Sequence, residues 1–404
     1  MPDRPRPLDD LRVLDLTRVI SGPSCTKALA DLGAEVIKLE PPDGDATRLA
    51  YPRVGGMPVY FAQLNTGKEC ISIDLGAAEG RELAFGLAGR VDVVVENFRP
   101  GVAARLGLGY EQVLAVNPSV VYCSISGYGQ TGSAAGRRAY APMIHAELGL
   151  IELTARRRGT EPVQEVVSHA DLHAGMQATI GILAALRHRE RTGEGQHVDV
   201  SMAESMLVAT EWTAVEVAGG EGDAQHPFGG ANAPILRLAD GTVVSVPGDP
   251  VSTFPAWLEA MGSAELSRDP RFVDRPARAA HRRELLAALQ DWAGRFATFD
   301  EFEEAAGRGR LAAGVVRSLA EALDEPWAAE RGALVDVGGD RGPIWVPRSP
   351  LRFSTLDVGS RPHPASQGEH NRAVLGRLLG LEPDQVEQLT QSGVLVERPV
   401  SNQG

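Results

Sequence analysis

Residues 11–23 read LRVLDLTRVISGP, and this stretch decides the fold. Leu11–Leu16 is a short, nearly continuous apolar run, the pattern of a strand covered on both faces. Gly22-Pro23 suits a turn, and Pro23 fits the first turn of the helix that follows, expected over Ser24–Leu32. The same alternation continues downstream. Strands are expected at Glu35–Leu39 (EVIKL), Val91–Val95 (VDVVV) and Val120–Ser124 (VVYCS). Helices are expected at Ala78–Ala88 and from Gly101 to Leu106 and beyond. Buried strands alternating with helices predict an α/β fold with a parallel sheet. Each strand is followed by polar or glycine-rich residues: Thr17-Arg18, Glu40, Glu96-Asn97 and Ser126-Gly127. Open α/β sheets bind ligands outside the carboxyl ends of their strands. These four points are therefore expected on one rim, and the rim is the expected site. The turn after the first strand carries no G-x-G-x-x-G, and the sequence holds no P-loop, H-E-x-x-H or G-x-S-x-G.

Further along, Ala170–Arg187 (ADLHAGMQATIGILAALR) is strongly helical, with Leu172, Met176, Ile180 and Leu183 at spacings of three and four. Asp171 stands at its start. A loop, Thr192–Gln196, leads into a strand over His197–Met202. Composition shifts near 218–232. Residues 233–330 read as a smaller α+β unit. It has a strand and turn over Ile235–Val246, around Asp240-Gly241, and helices at 253–262, 281–295 and 299–306. A strand near 343–353 and helices near 370–379 and 382–391 close the chain. The expected domains are 1–220 (large), 221–330 (small) and 331–404 (return to the large domain and C-terminal helices).

The chain has 404 residues, 43% of them hydrophobic, with 40 Lys+Arg against 53 Asp+Glu, a net charge of −13. That supports a large core and argues against a nucleic-acid surface, whose footprint is basic. The acidity is uneven. Residues 1–160 hold 18 basic and 18 acidic side chains, and all three lysines, Lys27, Lys38 and Lys68, lie there. A polyanionic small molecule is thus permitted on the N-terminal half. Cys25, Cys70 and Cys123 are odd in number and widely spaced, so no disulfide framework is expected. Neither a signal-peptide pattern nor an apolar run of about 18 residues is present, so no membrane partner and a cytoplasmic protein are expected.

In these segments the sequence resembles the class III CoA-transferases, the CaiB/BaiF type that includes formyl-CoA transferase and α-methylacyl-CoA racemase. The residues that carry the resemblance are LRVLDLTRVISGP (11–23), LADLGAEVIKLEPPDGD (29–45), NTGKECISIDL (65–75), DVVVENFRPG (92–101), NPSVVYCSISGYGQTG (117–132), HADLHAGMQATIGILAAL (169–186) and TGEGQHVDVSMAES (192–205). The resemblance implies a Rossmann-like parallel-sheet large domain, a smaller α+β domain and an interlocked homodimer. It implies coenzyme A, as acyl-CoA, for substrate, a carboxylic acid as acceptor, and no metal. It matches Asp171 to the carboxylate that attacks the acyl-CoA carbonyl. By the same matching, coenzyme A contacts fall on Ile20, Ser21, Asn65, Lys68, Asn97, Phe98, Arg105, Arg137, Arg138, Tyr140 and Ala141. Lys68 and Arg105 would serve the phosphates.

Each of these residues also has a plainer reading. An Asp at such a position is commonly a helix N-cap. His169 and His173 have the spacing of a metal pair on one helix face, but no third ligand is apparent. Lone cysteines such as Cys25 and Cys123 usually pack. Racemases of the family place a histidine where this chain has Tyr140, a weak partner at neutral pH with an ordinary pKa near 10. His145 could replace it only after a loop rearrangement. Many transferases carry an acidic residue where Ala141 stands, and Glu147 is the nearest substitute. Gly229-Gly230 matches, in reduced form, a glycine loop over the nucleophile. The expected function is an acyl-CoA:carboxylate CoA-transferase. The alternatives are an α-methylacyl-CoA racemase and a non-catalytic CoA-binding member.

Overall fold

A computed structural model describes residues 4–219 and 232–400. Gly229-Gly230 therefore lies outside the described residues. The chain forms two compact units, one of residues 1–149, 164–210 and 326–404, the other of 150–163 and 211–325.

The larger unit is built on six strands: β1 (Arg12–Asp15), β2 (Glu35–Glu40), β3 (Glu69–Ser72), β4 (Val93–Glu96), β5 (Val121–Ser126) and β6 (Gln196–Ser201). Their order is β3-β2-β1-β4-β5-β6, and every pairing is parallel. The chain winds outward from β1 to β3, then crosses back to lay β4 on the other side of β1. That reversal opens a crevice between the carboxyl ends of β1 and β4. The expected parallel α/β sheet is present. β3 is an addition, because ECIS offers only Ile71 as a large aliphatic and gives no apolar run.

Six helices matter for the site: α1 (Ser21–Asp31), α2 (Val59–Asn65), α3 (Ala78–Ala88), α4 (Val102–Arg105), α5 (Ala141–Glu147) and α6 (His169–Thr192). Pro23 sits in the first turn of α1, whose lost N–H has no intrahelical partner there in any case. Leu14, Ile37, Val94 and Tyr122 of the sheet pack with Leu87 of α3 and with Val374 and Leu375 of the helix Asn371–Leu379. The Tyr122 hydroxyl satisfies itself on the Leu108 carbonyl at 2.7 Å.

α6 turns the face opposite to the one its large side chains suggest. Ala170, Ala174, Gly175 and Ala178 are buried, while Leu172, Met176 and Ile180 are 38%, 57% and 58% exposed. Small residues let α6 approach α1 closely, and that close approach takes precedence over burial of the larger stripe. All three lysines are buried.

The smaller unit has a three-stranded antiparallel sheet, Ile235–Arg237, Val243–Ser245 and Gly314–Val315. Its first turn is the expected Asp240-Gly241, with Gly241 at φ 93° and the Asp240 carboxylate accepting the Thr242 N–H at 2.9 Å. Helices Pro250–Met261, Arg282–Ala293 and Phe299–Arg308 close over Trp257, Trp292 and Phe302. No helix of the described residues is long and apolar enough to cross a membrane.

Candidate active site

The site is set by the loop after β1. Asp15 ends that strand, fully buried. Its Oδ1 accepts the Thr17 N–H (2.9 Å) and hydroxyl (2.5 Å), and its Oδ2 accepts Thr26 Oγ1 (2.7 Å) and Lys68 Nζ (3.0 Å). Burial alone would raise this carboxyl; Lys68, Lys38 and the two hydroxyls outweigh it and hold the pKa at about 2. Lys38 Nζ in turn donates to the Thr17 carbonyl and pairs with Asp45, both at 2.9 Å. Asp45 accepts the Val19 N–H at 3.3 Å. Val19 has φ 68°, a strained conformation for a β-branched residue, and these buried ions hold it there.

The strained turn delivers Ser21 to the start of α1. Across the crevice, Asn97 follows β4. Its Oδ1 accepts the Arg18 N–H at 2.9 Å, and its Nδ2 donates to the Arg18 carbonyl (2.9 Å) and to Ser21 Oγ (3.2 Å). One amide thus ties the two sides of the switch point together. Beneath it, buried Glu96 accepts the Phe98 N–H at 2.7 Å. Burial, with a smaller push from Asp199, raises the Glu96 pKa to about 7.

Asp171 arrives from the other direction, in the first turn of α6. Ser168, not Asp171, is the N-cap. The Ala170 N–H at that helix start donates to His145 Nε2 at 3.1 Å. The Asp171 carboxylate is therefore not spent on capping. The Ser21 hydroxyl and N–H and the Ala141 N–H all face it. Burial raises its pKa to about 6, and those three donors limit the rise. It makes no ion pair among the described residues, so nothing neutralises it. Tyr60 of α2 stands close enough that burial and then the Asp171 charge raise its phenol pKa. A half-buried, unpaired carboxylate facing backbone N–H groups can act as a nucleophile or a base.

Beside this centre, at the carboxyl ends of the strands, is a small slot of about 190 Å³. Leu16, Leu39, Pro42, Leu75, Phe98 and Leu106 line it. Arg18 stands exposed at its mouth, 5.7 Å from the Phe98 ring centre. Asp74 is the acid of the lining. A mainly apolar slot with a cation at the entrance suits an aromatic ring, with attached phosphate held on the Arg18 side.

The sequence profile of CoA-transferase family III matches residues 8–371. The chain belongs to that family. Acetyl-CoA:oxalate CoA-transferase of Acetobacter aceti is 36% identical, over 88% of this chain and 92% of that protein. Succinyl-CoA–D-citramalate CoA-transferase of Chloroflexus aurantiacus is 34% identical, over 97% and 98%. Succinyl-CoA:glutarate CoA-transferase of Mus musculus is 32% identical, over 97% and 91%. A CaiB/BaiF family protein from Brucella suis has a TM-score of 0.80 at 34% identity, covering 93% of this chain and all of that one. The protein is thus a CoA-transferase family III enzyme.

Within this family III chain, the expected residues separate into two groups. Ile20, Ser21, Asn97, Phe98 and Ala141 gather around the crevice. Tyr140 is the N-cap of α5 and 63% exposed. Arg105 is exposed next to the slot-lining Leu106, and Arg138 is exposed two residues before Tyr140. Arg137 is occupied: it pairs with Glu147 and lies over the Tyr128 ring at 5.0 Å. Tyr128 also donates to Glu147, so that carboxylate is held at the surface rather than supplied to Asp171.

Lys68 and Asn65 do not take the expected role. The Lys68 ammonium is enclosed by Asp15, Pro23 O (3.1 Å), Thr26 (2.8 Å) and Asn65 Oδ1 (2.9 Å). Its side chain is 0% exposed and has no path to a phosphate. Asn65 is equally buried, with Nδ2 on the Phe61 carbonyl at 3.2 Å. Both residues brace the loop from below.

His145 is likewise structural. Its Nε2 accepts from the backbone, so the proton sits on Nδ1 and the ring offers no free basic nitrogen. The three cysteines are buried thiols; burial pushes Cys25 and Cys70 to about 12. Arg18 and Glu96 lie on the rim expected from the sequence, just after β1 and at the end of β4. Tyr60 is an addition with no mark in the sequence, because its place depends on how α2 packs.

Proposed function

We propose that the chain transfers coenzyme A between carboxylic acids through covalent Asp171. The observation that carries this is its carboxylate, unpaired and facing the Ser21 and Ala141 N–H groups. In the first step an Asp171 oxygen attacks the acyl-CoA carbonyl, and the C–S bond breaks to give an aspartyl anhydride and CoA thiolate. The thiolate then attacks the Asp171 acyl carbon. The first acid leaves as its carboxylate, and an aspartyl-CoA thioester remains. An acceptor carboxylate repeats the two steps in reverse and restores Asp171. No proton, electron or metal is consumed. Each tetrahedral intermediate places an oxyanion where backbone N–H groups can receive it, which is a strong source of rate.

The coenzyme lies with its adenine in the Leu16–Phe98–Leu106 slot and its phosphates toward Arg18 and Arg105. A dicarboxylate is the acceptor we favour, since the named relatives act on oxalate, D-citramalate and glutarate. A second copy of the chain covers the exposed Leu172–Met176–Ile180 stripe of α6; the resemblance implies that the two copies interlock. Light scattering at the column outlet tests the homodimer.

The chemistry is tested by incubating the protein with acetyl-CoA or succinyl-CoA, trapping with hydroxylamine or borohydride, and mapping the labelled peptide by mass. A label on Asp171 is expected. An unlabelled enzyme that admits solvent deuterium at the α-carbon would instead be a racemase. The His145 geometry speaks against that outcome.

A further inference from the structure

Basic side chains collect on the larger unit at the end of α1 opposite Asp171. A cleft of about 720 Å³ lies between the N-terminal segment and residues 357–362. Arg4, Arg6, Arg348 and Arg361 line it, against two acids, Asp9 and Asp357. Arg352 flanks them; it donates to the Arg331 carbonyl at 2.9 Å and stands close enough to Arg348 and Arg331 to feel both charges. Six arginines therefore share one region of a chain whose net charge is −13.

Other arginines of this unit, Arg18 and Arg105 included, also lack a carboxylate partner among the described residues; what marks this region is that four such arginines line one cleft. Elsewhere in the same unit Arg12, Arg48, Arg137, Arg189 and Arg377 each pair with a carboxylate. None of the six makes an ion pair among the described residues. Arg6 is held in place by backbone carbonyls, Asp31 O at 2.8 Å and Gly359 O at 2.5 Å. Arg4 uses the Ser354 carbonyl at 3.4 Å. Carbonyls orient a guanidinium without neutralising it. Arg348 and Arg361 have no side-chain hydrogen bond among the described residues and are exposed.

Like charges this close repel one another, and an anion among them offsets the repulsion. The guanidinium fork matches phosphate oxygens in pairs. The volume falls within the usual range for small-molecule sites. Eleven residues of α1, roughly 16 Å of helix, separate Ser21 from this end. We propose that the cleft is a second anion site, taking a small molecule that carries two or more phosphate groups.

The probe is inorganic pyrophosphate, titrated calorimetrically into the full-length protein with coenzyme A present. The comparison is the double variant Arg348→Gln/Arg361→Gln, both positions exposed. Saturable binding is expected, weakened at least tenfold in the variant, with CoA-transfer turnover and melting profile unchanged. Equal binding by both proteins would place the anion elsewhere and overturn the proposal. So would a variant with altered oligomeric size, since the patch would then be an interface between copies.

Discussion

Gly175 of α6 lies against Ser21 of α1: a Cβ at Gly175 would stand 2.7 Å from the Ser21 carbonyl oxygen and 2.1 Å from Ser24 Oγ. Asp171 is one helical turn earlier on the same face. The missing side chain is what lets the Ser21 hydroxyl and N–H reach the Asp171 carboxylate. Gly175→Ala should force the helices apart. We expect a loss of about 1–3 kcal/mol in stability, typical of overpacking, and turnover at least tenfold lower. Thermal unfolding and steady-state rates check both. Wild-type turnover would show that this contact does not set the geometry.

The Asp171 pKa of about 6 predicts an acid limb in the rate. The anion is the nucleophile, so kcat/KM should fall below pH 6, approaching tenfold per unit. The sign for stability is opposite to that of a salt-bridged acid. The folded pKa lies above the ordinary 3.8, so the folded state is penalised once pH rises through about 6. Asp171→Asn should therefore melt higher than wild type at pH 8 and gain nothing below pH 4. Its turnover should drop by about a thousandfold or more, as for loss of a covalent nucleophile. A pH–rate profile and melts at both pH values test this.

Lys68 separates a phosphate ligand from a structural cation. Enclosed by Asp15, Thr26, Asn65 and the Pro23 carbonyl, it neutralises the buried Asp15 charge. Lys68→Met should cost about 3–5 kcal/mol, the usual penalty for stranding one member of a buried pair. A lysine that merely touched phosphate would leave the melting temperature alone and raise KM. The melt and the KM of the surviving folded fraction distinguish the two.

Much of this was legible because of how parallel sheets are built. LRVLDL, EVIKL, VDVVV and VVYCS are buried on both faces, so their apolar runs announced strands and the polar residues after them announced the rim. Asp171 was legible only through the resemblance, since its own surroundings read equally well as a helix start. The errors share one cause: sequence shows side-chain type but not which neighbours surround it. Lys68 read as a phosphate ligand because the acid that encloses it is Asp15, far away in sequence. Leu172, Met176 and Ile180 looked like the core face of α6, yet the alanine–glycine face packs inward because it permits closer contact. β3 was missed because four residues with a single isoleucine carry no periodicity.

Asn97 provides the last test, because its amide decides which way the Ser21 proton points. Nδ2 donates to Ser21 Oγ at 3.2 Å, so the single hydroxyl proton stays free to face Asp171. Asn97→Asp keeps the shape but reverses the polarity. The new carboxylate can no longer donate to the Arg18 carbonyl, 2.9 Å away in the wild type, and it draws the Ser21 proton toward itself. Asp171 then loses a donor that favours its anion and gains a nearby negative charge, and both effects raise its pKa. The acid limb of kcat/KM should move upward by about one pH unit, and turnover at pH 7 should fall several-fold. Ser21→Ala should move the limb in the same direction. The double variant should shift by less than the sum of the two, because the Ser21 proton can be lost only once and what remains is the effect of the introduced carboxylate charge. Fully additive shifts would mean that Asn97 acts on Asp171 without Ser21.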